Sequence, residues 1–169
     1  MWSSACAGVL LTAIWWDVKT HRIPNVLVLA GLALGLMTSV LPGGVGWLSS
    51  LYGCAIGLAI FLPLYVLRIL GAGDVKLLAA VGSFVGYPDV LAVALLTGLA
   101  GGVLALLMAI RHRQLGRMWQ QVHQALIGFV MQIASGGRPR QWVMVVGPHR
   151  LPYAVAIALG TLIHGYLKN

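Results

Sequence analysis

The sequence predicts an all-α, polytopic membrane helix bundle of about six transmembrane helices with its N-terminus outside, and three observations carry that prediction. Of the 169 residues, 60% are hydrophobic and 8% charged, with a mean hydropathy of +0.93, far more apolar than an ordinary soluble domain. The apolar residues fall into six runs separated by short polar or glycine-rich turns. The basic residues gather in alternate turns, so the formal net charge of +8 is a topology signal and not a footprint for nucleic acid. The expected surroundings are a lipid bilayer.

Each run is measured against the roughly 17–25 residues that a spanning helix needs. The first, 2–16, is short and has neither a basic segment nor a small-residue cleavage site ahead of it, so it is expected to be a retained helix, with a removable signal peptide as the weaker alternative. The second, 24–41, opens on Pro24, which suits a first helical turn because its missing N–H costs little there. It closes at Leu41-Pro42-Gly43-Gly44. The third, 47–70, contains Pro63, expected to bend it. The fourth, 74–85, is short and ends near Gly86-Tyr87-Pro88-Asp89. The fifth and last are 90–110 and 151–167. Short first and fourth spans imply local thinning of the bilayer or ends shielded by neighbouring helices.

The segment 111–150 is the least membrane-like. Met118, Val122, Ala125, Leu126, Phe129 and Ile133 recur at helical spacing, with Arg117, Gln120, Gln121 and Gln124 mostly on other faces, the pattern of an interfacial amphipathic helix. Anchoring is its plain role; covering the entry to a site on that side is the functional one. Ser135-Gly136-Gly137-Arg138-Pro139-Arg140 breaks the helix, and 142–146 is apolar but too short to span. There is no internal repeat, so residues 1–169 are treated as one membrane-embedded domain with a cytoplasmic or interfacial segment.

With the N-terminus outside, residues 17–23, 68–76 and 111–150 share the cytoplasmic side. Of the 11 Lys and Arg residues, Lys19, Arg22, Arg68, Lys76, Arg111, Arg113, Arg117, Arg138, Arg140 and Arg150 then lie inside and Lys168 alone outside, a strong positive-inside pattern.

Three acidic residues occur in the whole chain, Asp17, Asp74 and Asp89. The first two stand at the cytoplasmic ends of apolar runs. An ionised carboxylate at the centre of a membrane helix costs roughly 2.5–3.5 kcal/mol on insertion scales, so such residues face a partner, a cavity or a substrate. Two on one side suggest a working pair. Asp89, at the other side after Pro88, is expected to be an ordinary turn residue.

The first acid lies in Trp16-Asp17-Val18-Lys19-Thr20-His21-Arg22-Ile23-Pro24-Asn25 and the second in Gly71-Ala72-Gly73-Asp74-Val75-Lys76, a GxGD sequence. Both, with their flanks and the C-terminal Leu151-Pro152-Tyr153-Ala154-Val155-Ala156-Ile157-Ala158-Leu159-Gly160, resemble the type IV prepilin peptidases, aspartic proteases that remove leader peptides from pilin precursors. The resemblance runs from Asp17 to Gly160. Its large bifunctional members carry an insert with paired CxxC motifs, whereas Cys6 and Cys54 here stand alone in separate spans. The chain therefore resembles the short form serving tight-adherence (Flp) pili, the TadV/CpaA type. The resemblance implies Asp17 and Asp74 as catalytic residues, a pilin precursor as substrate and no cofactor. Archaeal preflagellin peptidases are the runner-up within the same family.

The chemistry is also legible in the residues themselves. Amide hydrolysis needs an activated water, a stabilised tetrahedral intermediate and a proton for the leaving nitrogen; two carboxyl groups sharing one proton can supply that traffic. Gly71 and Gly73 remove bulk before Asp74, permitting close approach of a helix or a substrate backbone, or they simply end a helix. Pro24 and Asn25 are positioning residues, Asn25 by hydrogen bonding to the intervening loop. Lys19, Arg22 and Lys76 have a plain role as positive-inside anchors. Beside it stands a role in tuning the acids or docking an acidic group, such as the Glu that follows the cleavage point in the pilin precursors of this family.

Other chemistries are weaker. Ser83 with His164 forms a nominal serine–base pair without a supporting motif, and the five histidines form neither HxxxH nor HExxH, so no metal site is expected. A non-enzymatic transporter or scaffold would use the acids as a cation path, but no polar series continues across the spans.

Overall fold

The computed structural model describes residues 2–20, 23–66, 70–111 and 153–168, together with Gln120, His123, Gln124 and Ile127. Among these residues there are six α-helices and no strand: α1 (Trp2–Thr20), α2 (Asn25–Val40), α3 (Trp47–Val66), α4 (Ala72–Val85), α5 (Asp89–Arg111) and α6 (Tyr153–Lys168). The all-α membrane bundle expected from composition is thus the architecture found. Helices are the natural outcome for long Leu-, Ala- and Gly-rich runs, because a chain in hydrocarbon must satisfy its backbone polar groups within each segment.

Three boundaries differ from expectation, and two of them move the acids. α1 continues a turn past residue 16, since Asp17-Val18-Lys19-Thr20 contains no breaker and the Thr20 hydroxyl folds back to donate to the Trp16 carbonyl at 2.8 Å. α4 begins at Ala72 and not at Asp74, so Gly73 and Asp74 belong to its first turn. α3 remains helical on both sides of Pro63, and Leu70, expected inside it, lies beyond the helix with its N–H donating to the Leu64 carbonyl at 3.3 Å. Both acids therefore sit on helical backbone, not in connecting loops.

The core is organised around α4. It is 14 residues long, about 21 Å, which is short of the roughly 30 Å hydrocarbon layer. It is buried at Val75 and at every position from Leu77 to Val85, and it touches each of the other five helices. Shielding by neighbours is thus how this short apolar helix is accommodated. Two pairs of glycines four apart let α2 and α3 approach it closely: Gly31 and Gly35 face Ala80 and Ser83, and Gly53 and Gly57 face Gly82 and Leu78. A Cβ on Gly57 would lie 2.9 Å from the Leu78 carbonyl oxygen, so a side chain there would force the helices apart. Ser83, the nominal nucleophile, is consumed by this packing; its hydroxyl donates to the Ala80 carbonyl at 2.6 Å.

The outside of the bundle is apolar. Val26, Leu29 and Met37 of α2, Leu51, Leu62 and Val66 of α3, and Leu95, Leu99 and Leu107 of α5 are all exposed, an arrangement that suits lipid and not water. Among the described residues two helical stretches, Trp47–Val66 and Asp89–Met108, are both long and apolar enough to cross a membrane alone. The protein is an integral membrane protein whose shorter helices are held by these neighbours.

The end remote from Asp17 and Asp74 is closed by a turn at Gly86, whose φ of 75° favours glycine. The Ser49 hydroxyl donates to the Tyr87 carbonyl at 2.9 Å and accepts the Tyr87 N–H at 3.0 Å. Asp89 is more than a turn residue. It opens α5 and forms an ion pair with Lys168 at the end of α6, with His164 Nε2 at 3.8 Å.

Candidate active site

Asp17 and Asp74 reach the same end of the bundle from α1 and α4. Asp17 is buried, with 6% of its surface exposed, and its Oδ2 accepts a hydrogen bond from the backbone N–H of Ala154 at 3.1 Å. Ala154 is the second residue of α6, where N–H groups have no partner within the helix, so Asp17 caps the last helix from the first. Asp74 is only partly buried, and its Oδ2 accepts the Gly71 N–H at 3.1 Å, which ties the carboxylate to the start of its own helix. Each acid is thus oriented through one oxygen by a backbone donor. The two carboxylates are near enough to interact electrostatically.

The two motifs that carry the acids dock directly. Ile23 packs on Gly73, where a Cβ would lie 3.2 Å from the Ile23 Cβ. Pro24 is the N-cap of α2, one position ahead of the expected first turn, and its carbonyl accepts the Leu27 and Val28 N–H groups at 3.1 and 3.4 Å. Asn25 is then the first helical residue. It was expected to serve the intervening loop; instead its Oδ1 accepts from Lys76 Nζ of α4 at 3.0 Å. Nothing local in the sequence indicates that bond, since its partners are 51 residues apart.

The remaining expected positions divide by exposure. Gly71 is exposed at the N-cap of α4 and serves the Asp74 carboxylate more than any helix approach. Lys19 is exposed at the end of α1. Lys76 is exposed and bonded to Asn25. Arg22 lies outside the described residues, as do Met118, Val122, Ala125, Leu126, Phe129 and Ile133 of the expected amphipathic helix. Within that segment Gln120, His123, Gln124 and Ile127 are helical and exposed.

One contributor was quoted in the C-terminal segment without a role of its own, Ala154. The signal was present in general form: an apolar helix starting inside a bundle needs acceptors for its first N–H groups, and a chain with three acids offers few. A cavity of about 690 Å³ lies at the opposite end, lined by Cys6, Leu10, Val85, His164 and Lys168 among others, and is remote from the acid pair. Among the described residues no three His, Cys, Asp or Glu side chains converge as metal ligands.

Residues 4–106 match the family described as the type IV leader peptidase family, a stretch containing both acids. A prepilin leader peptidase/N-methyltransferase from Dickeya chrysanthemi is 29% identical over 129 residues, covering 70% of this chain and 41% of that protein. The match therefore spans less than half the length of that relative. No solved structure matches. With its family match extending over more than half of its residues and both acid-bearing motifs inside it, the chain belongs to the type IV leader peptidase family.

Proposed function

We propose that the protein is a prepilin leader peptidase, an intramembrane aspartic endopeptidase that removes the basic leader of type IV pilin precursors using Asp17 and Asp74. The observation that carries this reading is the meeting of the two acids from α1 and α4 at one end of an apolar bundle, each held by a backbone N–H. In the proposed reaction one carboxylate takes a proton from water as the oxygen attacks the scissile carbonyl carbon. The other, protonated, donates a hydrogen bond to the carbonyl oxygen. Collapse of the tetrahedral intermediate breaks the C–N bond while a carboxyl proton passes to the departing nitrogen, and the pair is left sharing one proton as before.

The site end also carries Lys19, Lys76 and Arg111, against Lys168 at the far end. By the positive-inside rule this supports a catalytic side facing the cytoplasm of a bacterial inner membrane. Lys19 and Lys76 suit an acidic residue just after the cleavage point. The Flp-type precursors to which the resemblance points are the first candidate substrates, with archaeal preflagellin as the comparison.

The test is co-expression with candidate precursors and mass measurement of the mature N-terminus. Asp17→Asn and Asp74→Asn are expected each to lower processing by about 10²–10⁴-fold, the usual contribution of a general acid or base, while Asp89→Asn leaves it intact. Processing that continued in both site variants would rule out the aspartic mechanism and favour a non-enzymatic role.

A further inference from the structure

Away from the acids, α1 and α6 enclose a gap. The two helices meet at the site end through Asp17 and Ala154. Toward the other end they part around a cavity of about 690 Å³, walled by Cys6 and Leu10 of α1, Val85 of α4 and the stretch of α6 from Thr161 to Lys168. At 1.5 Å per residue that stretch gives a depth of about 10 Å. The walls are mainly apolar. The Thr161 hydroxyl already donates to the Ile157 carbonyl at 2.7 Å, and His164 Nε2 is buried on the side of Asp89, 3.8 Å away. Lys168 stands at the mouth with its side chain more than half exposed. Gly165 is part of the wall, and a Cβ on it would meet no atom within 4 Å.

We infer that this gap is a phospholipid site, with an acyl chain lodged between α1 and α6 and the lipid phosphate on the Lys168 ammonium. Three occupants compete, and size and polarity separate them. Water needs about two to four polar partners, which walls of this kind do not offer. A helix with its side chains is about 10 Å across, so the volume takes only about six residues of one, a fraction of a span. An acyl chain is narrow, apolar and at hand, since Leu11 of α1 and Leu162 of α6 beside the gap are exposed to the bilayer. Lys168 pairs with Asp89, but an ammonium carries three donors, and a phosphate oxygen suits those that remain. A chain lodged there braces α1 against α6 at the end opposite their Asp17–Ala154 bond.

The test uses the full chain in phosphatidylglycerol vesicles containing a small fraction of the same lipid with a photoactivatable diazirine on its acyl chain. After illumination, peptide masses locate the label. In the wild type, peptides holding Cys6, Leu10 and Thr161 are expected to carry about fivefold more label than the exposed face of α5 around Leu95 and Leu99. Gly165→Leu, which fills the gap from α6, and Ala7→Leu, which fills it from α1, are expected to bring that labelling down to the level of α5 with thermal unfolding unchanged. Gly98→Leu is the matched control, because a Cβ there also meets open space but on the plain outer face of α5; it leaves the enrichment intact. Lys168→Met is expected to lower capture about fivefold, the scale of one basic contact with an anionic headgroup. Even labelling of the gap and α5 would mean ordinary solvating lipid. Disulfide-linked dimers of a Leu162→Cys variant in a Cys6→Ser, Cys54→Ser background, with no lipid enrichment, would seat a second copy there. Either result overturns the assignment, as does enrichment that survives both filling variants.

Discussion

At the scale of single residues, Asp17 combines two demands on one carboxylate. It caps α6 through Ala154 and it interacts electrostatically with Asp74. Asparagine keeps a side-chain oxygen that can accept the Ala154 N–H but cannot exchange a proton; alanine keeps neither. Asp17→Asn is therefore expected to fold like the wild type while failing to cleave. Asp17→Ala is expected to be less stable by about 1–2 kcal/mol more, the cost of leaving a buried donor unpaired. Reversible unfolding in mixed micelles measures the difference, and equal stability of the two variants would show that the cap contributes nothing. The placement of both acids near the ends of apolar helices was legible in the sequence. The partner of Asp17 was not, because a backbone donor 137 residues away leaves no mark on the residues around position 17.

At the scale of elements, the six apolar runs were legible because hydrocarbon admits few alternatives to the helix. Their ends were less so. Asp17-Val18-Lys19-Thr20 is polar enough to look like a loop, yet the helix continues through it because helical backbone tolerates polar side chains that face a neighbour or the interface. The Gly-Ala-Gly start of α4 was ambiguous for the opposite reason, since glycine suits both a turn and a close approach; here Gly71 takes the first role and Gly73 the second. The Asn25–Lys76 bond is the clearest product of tertiary packing. It links the first residue of α2 to Lys76, one turn into α4, and should couple the two helices energetically. A double-mutant cycle with Asn25→Ala and Lys76→Met is expected to yield a coupling of about 0.5–1 kcal/mol in stability, with a parallel loss in kcat because Asp74 lies two residues from Lys76. Strict additivity in both would mean that the bond merely decorates the surface.

At the scale of the whole molecule, the two ends of the bundle differ in kind. One gathers the acid pair, the docked motifs and most of the described basic residues; the other holds a glycine turn and the Asp89–Lys168 pair. The proposed orientation predicts an asymmetric response to a membrane-impermeant thiol reagent. In a Cys6→Ser, Cys54→Ser background, a cysteine at Leu41 is expected to be labelled on intact cells, and one at Thr20 only after the membrane is opened. The reverse order would invert the topology and place the acids on the outer face. The bond between Asp17 and Ala154 has a further consequence for how such a protein comes into being. A ribosome that has delivered the first four helices has already delivered both aspartates, but the amide that orients one of them is still unmade. On this reading a partly synthesised chain cannot present an assembled pair of acids, so hydrolytic competence is withheld until α6 has entered the membrane.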